Sequence, residues 1–429
     1  MTGPIRRVSS LDRPWARTTN SGIVGPLRVP SRADVIDAIV ELSNAFPHSR
    51  LSWRLNETAT RWLTDPGAIR DVASGMVASS TDEPAPDYGR FLTALARRTD
   101  LAQPASFVLT RDHAALRVSH AVGDGRVVAA FLSGVLSTAS TGQLPAWSPT
   151  PGIPHPYRKA VVEFFGRSPR RLAELANRPK STPSPESSEV VSWSPDAVTL
   201  YRRASRDAVE AVREWRSRNA RGSSMPSIEL TLLLRAFRAA GVALRPDVLT
   251  LFDARRYVPR DYVDGNFVVG LLIPATARHT VGEIGAAISA TSESGRPLAA
   301  LGLGLLTHRR PAPTPLTAPS RSAAQLAFTH IGRPQSIERL GFVAGEIPVY
   351  AGALDPAGPT GITVATTRTG GTLQLSVTMH ANVTDVTAVS HALDLIADDP
   401  VALLEDGATR HRPTLAGAAA TGADDGIQR

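Results

Sequence analysis

The chain has 429 residues, of which 42% are hydrophobic and 20% charged, with a formal net charge of +8 and no cysteine. That length exceeds one ordinary core and points to about two domains of a globular protein. The missing cysteines exclude disulfides, thiolate nucleophiles, iron–sulfur clusters and cysteine zinc sites.

The opening stretch, MTGPIRRVSSLDRPW, contains no apolar run of the kind a secretory signal needs, so a cytosolic chain is expected. Apolar residues at helical spacing over 35–46 predict an amphipathic helix, PHSRLSWRL reads as a strand, and 88–98 as a second short helix. ASFVLT and AALRVSHA flank the polar break RDH and read as a hairpin. RVVAAFLSGVLSTA then reads as a helix, weakened slightly by Gly134. The Pro- and Ser-rich stretch 177–193 is the best linker. Beyond it, 208–219, 227–240, 281–292 and 386–397 read as helices, and DVLTLFDARRYV, FVVGLLIP and AQLAFTHIG as strands. Gly370-Gly371 between two alternating runs signals a second hairpin. The division expected is an N-terminal unit over 1–176, a linker over 177–193, a C-terminal unit over 194–405 and a disordered tail over 406–429.

Only Lys159 and Lys180 are lysines; the other basic residues are arginine. This basic balance suits phosphate-bearing partners such as CoA or a carrier protein. A dense basic stripe interleaved with aromatics is missing, so no nucleic-acid partner is expected. The most apolar stretch, 228–244, contains Arg235 and Arg238 and falls short of a membrane span. No HExxH metal spacing, nucleotide loop or Gly-x-Ser-x-Gly elbow occurs, so neither a bound metal nor a bound cofactor is expected.

The stretch SHAVGDGRVVAAFL raises the question of chemistry. In the alternation Leu116, Val118, His120, the histidine shares the face of two core residues and is the last residue before a loop. A strand end is where a side chain can leave the core for a cleft. Asp124 sits between Gly123 and Gly125, which permit a tight turn, and Asp124 and Gly125 can cap the following helix. A buried, satisfied histidine beside a capping aspartate would explain either residue taken singly.

The combination of strand, His120, three residues, Asp124-Gly125 and amphipathic helix resembles the HxxxDG signature of the CoA-dependent acyltransferase superfamily. SSLDRPW, ELSNAFPHSRLSWRL, LTLFDARRYVPRDYVDGNFVVGLLIP and AFTHIGRP resemble further segments of that family, in its order. The resemblance implies an α/β (α+β) fold of two chloramphenicol-acetyltransferase-like domains around a central channel, with His120 midway along it. It implies that His120 is the general base and that Asp124 holds the loop through a salt bridge. Arg255 is the partner candidate and Arg256 the alternative, since strand alternation would place them on opposite faces. Thr329 and Asn266 are candidates for an oxyanion donor or channel-lining role; a strand threonine and a Gly-Asn turn are their plainer readings. His330 lies close to the returning segment, while His113, His308 and His411 are set aside as loop residues.

Acyl transfer from a CoA thioester or a phosphopantetheinyl carrier protein to a small-molecule hydroxyl or amine is the activity the resemblance implies, in natural-product or lipid biosynthesis. Ser119 stands where many condensation domains carry a first histidine, which points away from that subgroup. A free-standing condensation enzyme on carrier-bound units, or an inactive docking scaffold, are the rival readings. Two similar domains in one chain are consistent with a monomer.

Overall fold

The computed structural model describes residues 6–16, 18–98, 103–147, 152–171, 175, 189–258, 263–306, 315–319 and 322–409. In chain order its strands are β1 (Arg6–Arg7), β2 (Thr19–Gly25), β3 (Arg54–Leu55), β4 (Arg61–Leu63), β5 (Val77–Ser79), β6 (Ala105–Leu109), β7 (Ala114–Ser119) and β8 (Val190–Ser192). They continue as β9 (Ala197–Ala204), β10 (Asp247–Asp253), β11 (Val268–Pro274), β12 (Thr317–Pro319), β13 (Gln325–Gly332), β14 (Val349–Leu354), β15 (Gly361–Thr369) and β16 (Thr372–His380). Two mixed sheets carry the fold, a five-stranded one ordered β14-β2-β7-β6-β5 and a six-stranded one ordered β11-β10-β13-β15-β16-β9.

Local chemistry explains the elements that frame the site. Ser31 caps the helix Arg32–Ala45 by accepting from the Asp34 amide, and Asp34 returns a bond to the Ser31 amide. Val35, Ile36, Ile39 and Leu42 of that helix are buried against the first sheet's core. The hairpin β6–β7 aligns Leu109 with Ala114 and delivers Leu116 and Val118 to the same core. The helix Gly125–Thr141 starts at its Asp124 cap and stops at Gly142, whose φ of 68° ends it in the left-handed region. Helices Met225–Ala239 and Val386–Asp398 cover the outer face of the second sheet, burying Leu326, Phe328, Ile362 and Val364.

The opposite, inner face of the second sheet is polar. Thr363, Thr367, Gln374, Ser376 and Thr378 project from it and are buried. It meets the first sheet through β14, where Thr367 Oγ1 donates to the Tyr350 carbonyl at 2.8 Å.

Five expectations need correction. PHSRLSWRL, read as a strand, is a run of turns with strand only at Arg54–Leu55. Residues 349–354, assigned to the C-terminal unit, pair with β2 and complete the first sheet; alternation reports which face is buried, not which sheet takes the strand. The strand through DVLTLFDARRYV stops at Asp253 and becomes a 3₁₀ turn over Ala254–Tyr257, because Asp253 Oδ1 accepts from the Arg255 amide at 2.9 Å. The linker's end, Val190–Ser192, pairs with β12, while residues 176–188 lie outside the described residues. The helix Pro400–Thr409 runs past Glu405, with Leu404 buried in the second core; residues 410–429 lie outside the described residues. Among the described residues no helix is long and apolar enough to cross a membrane.

Candidate active site

His120 follows the last residue of β7, and its amide donates to the Thr18 carbonyl at 2.8 Å, extending the register of β7 on β2 by one step. The residue is 5% exposed, and the ring stacks on Trp15 with centroids 4.6 Å apart and planes at 21°. Nδ1 is buried with no hydrogen-bond partner among the described residues. Burial holds the imidazole below its ordinary basicity, while its own carbonyl, Asp124, Asn266 and Asp355 pull the other way. The result is a histidine biased toward the neutral form.

Three clamps hold the loop that follows. Asp124 Oδ1 accepts from the Arg126 amide at 3.2 Å and caps the helix, while Oδ2 accepts from Arg255 Nη1 at 2.6 Å. Both side chains are enclosed, 5% and 15% exposed. Arg255 also donates to Asp253 Oδ1 at 3.3 Å and to the Gly265 carbonyl at 2.6 Å. Arg256 lies over the Tyr257 ring instead, 5.9 Å from its centroid. The turn, rather than strand alternation, separates the two arginines.

Asn266 forms the second clamp. Its Nδ2 donates to the His120 carbonyl at 2.6 Å and to Asp12 Oδ1 at 3.0 Å. Arg50 forms the third: its Nη1 donates to Asp12 Oδ2 at 2.9 Å and to the Ala121 carbonyl at 3.2 Å. Asp12 is 1% exposed, so the network is a buried one. Arg50 holds φ at 62°, an uncommon backbone for a side chain of its size. Gly265 faces this network with φ at 69°, and a Cβ there would lie 2.5 Å from Arg50 Nη1. Only glycine meets both demands. Asn266→Ala would leave the buried His120 carbonyl unpaired, so unfolding free energy is expected to fall by about 1–3 kcal/mol. Urea denaturation checks this.

The other expected residues sit as follows. Gly123 is fixed by packing, since a Cβ would lie 2.3 Å from Val127 Cγ2, whereas Gly125 has open space and no such demand. Neither has the positive φ that the tight turn was expected to need. Thr329 is on β13 beside Ala365 of β15, and no hydrogen bond joins it to His120. His330 does not face that side: its Nδ1 meets Glu229 Oε2 of an outer helix at 2.7 Å. His113 is pinned between Asp112 and Tyr88, at 2.6 and 3.2 Å. His308 and His411 lie outside the described residues. Asp12 and Arg50 were missed as site residues; the Leu-Asp in SSLDRPW was the available signal for the first.

A cavity of about 340 Å³ adjoins the Asp124–Arg255 bridge. Its lining includes His48, Arg126, Phe131, Trp147 and Arg255, but not His120. The structure thus shows the imidazole enclosed under Trp15 rather than lining this cavity. The chemical capacity of the arrangement is that of a neutral imidazole on a rigidly held loop.

No protein-family model matches the sequence, and no curated protein matches it either. Solved structures do match. The epimerization domain from the third module of tyrocidine synthetase B is 14% identical, with a TM-score of 0.54 over 94% of each chain. Trichothecene 15-O-acetyltransferase from Fusarium sporotrichioides is 11% identical, with a TM-score of 0.55 over 93% of this chain and 95% of that one. TRI101 of F. sporotrichioides, solved with coenzyme A and T-2, is 12% identical, with a TM-score of 0.52 over 92% and 98%. The two mixed sheets, the helices on their outer faces and these likenesses together give the chain the two-domain chloramphenicol-acetyltransferase-like fold of condensation domains and CoA-dependent acyltransferases.

Proposed function

We propose that the chain is an acyltransferase that moves an acyl group from a thioester to a hydroxyl or amine, with His120 as general base. The observation that carries this reading is the buried imidazole at a strand end, kept toward its neutral form on a loop clamped by Arg255, Asn266 and Arg50. A neutral imidazole can take the proton of an attacking nucleophile as it meets the thioester carbon. The developing thiolate then receives that proton, so no acyl-enzyme forms. A rigid loop contributes by fixing the base where both substrates meet. Asp124 acts through position: its bridge to Arg255 ties the loop to the second domain. Two fold neighbours support a thioester donor. One is named for acetyl transfer, and another was solved with coenzyme A.

The test uses the absent cysteines. A thiol-reactive dye reports released CoA with no protein background. Acetyl- to palmitoyl-CoA are offered with mixed alcohol and amine acceptors. Release above the uncatalysed rate supports the reading. No release from any acyl-CoA, together with turnover of an acyl carrier protein, moves the donor to a carrier; inactivity toward both overturns it.

The pH profile gives a second prediction. The working form is unprotonated, and burial keeps it so below the ordinary histidine value of 6.5. The acid limb of kcat/KM is therefore expected to have its midpoint below pH 6.5. An acid limb at or above that value would show a base other than the enclosed imidazole.

A further inference from the structure

The cavity of about 340 Å³ beside the Asp124–Arg255 bridge has no part in the proposed reaction, since His120 does not line it. Its walls are aromatic. Phe46 follows the helix Arg32–Ala45, and Phe131 projects from the helix Gly125–Thr141. Trp147 closes the space between them, its ring centroid 5.4 Å from that of Phe46 and 5.7 Å from that of Phe131. Gly134 is what lets the indole sit there. A Cβ at that position would lie 2.4 Å from Trp147 Cζ2, so a residue that weakens the helix makes room for the wall. A concave, largely apolar space of this size with a few polar groups is the usual form of a small-molecule site.

His48 points to a ligand. It lines the cavity and is 7% exposed, yet its ring makes no hydrogen bond among the described residues. Buried polar groups in native proteins almost always have a partner. The charges give the partner's sign. Among the described residues no acidic side chain lines the cavity, whereas Arg126 and Arg255 do. Arg255 is committed to Asp124, Asp253 and the Val263 and Gly265 carbonyls. Arg126 keeps capacity: its Nε lies 2.9 Å from Asp253 Oδ2, and its two terminal nitrogens make no hydrogen bond among the described residues.

We propose that this cavity binds a small aromatic carboxylate, separately from the reaction centre. The ring system lies among Phe46, Phe131 and Trp147, whose faces and edges suit a flat apolar body. The carboxylate accepts from the His48 ring N–H and from the terminal nitrogens of Arg126, charge-assisted bonds of the stronger kind. An apolar ligand without the anion would leave His48 unpaired. A cationic one would meet two arginines and no lining carboxylate. The assignment does not depend on the acyltransferase reading, because binding alone defines the site.

The experiment is calorimetric titration of the full chain with 2-naphthoate and with 2-naphthylmethanol, which keeps the rings and lacks the charge. Wild type is expected to bind one naphthoate, and the alcohol about 10–100-fold more weakly, the size of a hydrogen bond to a charged group. Arg126→Gln, a change to a side chain 74% exposed, is expected to bring naphthoate down to the level of the alcohol and to leave the alcohol within a few-fold. His48→Phe keeps a ring of similar shape and is expected to weaken naphthoate about 10-fold at an unchanged melting temperature, because the imidazole holds no protein partner. Ala130→Trp fills the cavity and is expected to abolish binding; if that variant does not fold, the other two decide. No saturable binding of naphthoate to wild type overturns the proposal. So does equal affinity for acid and alcohol, or naphthoate affinity unchanged in Arg126→Gln and His48→Phe. A lower melting temperature in His48→Phe with affinity unchanged makes that histidine structural and likewise overturns its role.

Discussion

His120→Ala is expected to slow acyl transfer by roughly 10²–10⁴-fold, the range that positioned general bases contribute. The chain should nevertheless stay folded. The ring is buried, but its Nδ1 has no hydrogen-bond partner among the described residues, and the residue's own backbone supplies the loop's clamps through the His120 carbonyl and amide. Removing the side chain loses the stack on Trp15 and little of the polar network. Residual activity would come from binding the two substrates together. The measurement is dye-detected CoA release by wild type and variant, with circular dichroism showing equal secondary structure. A folded His120→Ala as active as an active wild type would remove His120 as the base, whereas wild type and variant both inactive in every assay would make the chain a scaffold of the same fold.

The second large effect is on stability. Asp124→Ala or Arg255→Ala is expected to cost about 3–5 kcal/mol, because each removes one partner of an enclosed ion pair and strands the other. Asp124→Ala also removes the cap of the helix Gly125–Thr141, worth about 1 kcal/mol more. The Arg255 guanidinium donates to three acceptors besides Asp124, the Asp253 carboxylate and the Val263 and Gly265 carbonyls, so its loss also loosens the turn over Ala254–Tyr257. The double variant should cost less than the sum of the two, since it leaves no orphaned charge. Thermal melts of the three variants measure this. An inactive Asp124→Ala with an unchanged melting temperature would sink the bridge as a structural clamp and would give Asp124 a direct part in the chemistry.

What the sequence determined by itself was local. Periodicity placed the helices around 35–46, 88–98 and 386–397, and Gly370-Gly371 marked a hairpin, since these features depend on near neighbours. The alternation into His120 and the cap at Asp124 were legible for the same reason: each is set within a few residues. The tertiary structure decided what depends on distant pairing. It moved Val349–Leu354 into the first sheet, because an apolar strand does not specify its partner edge. It chose Arg255 over Arg256 through a turn made by Asp253, a contact no alternation rule contains. It gathered Asp12, Arg50, Gly265 and Asn266 around the His120 loop from three separate segments. Buried polar groups must find partners wherever the fold brings them, and that convergence, which no single stretch of sequence encodes, builds the candidate site.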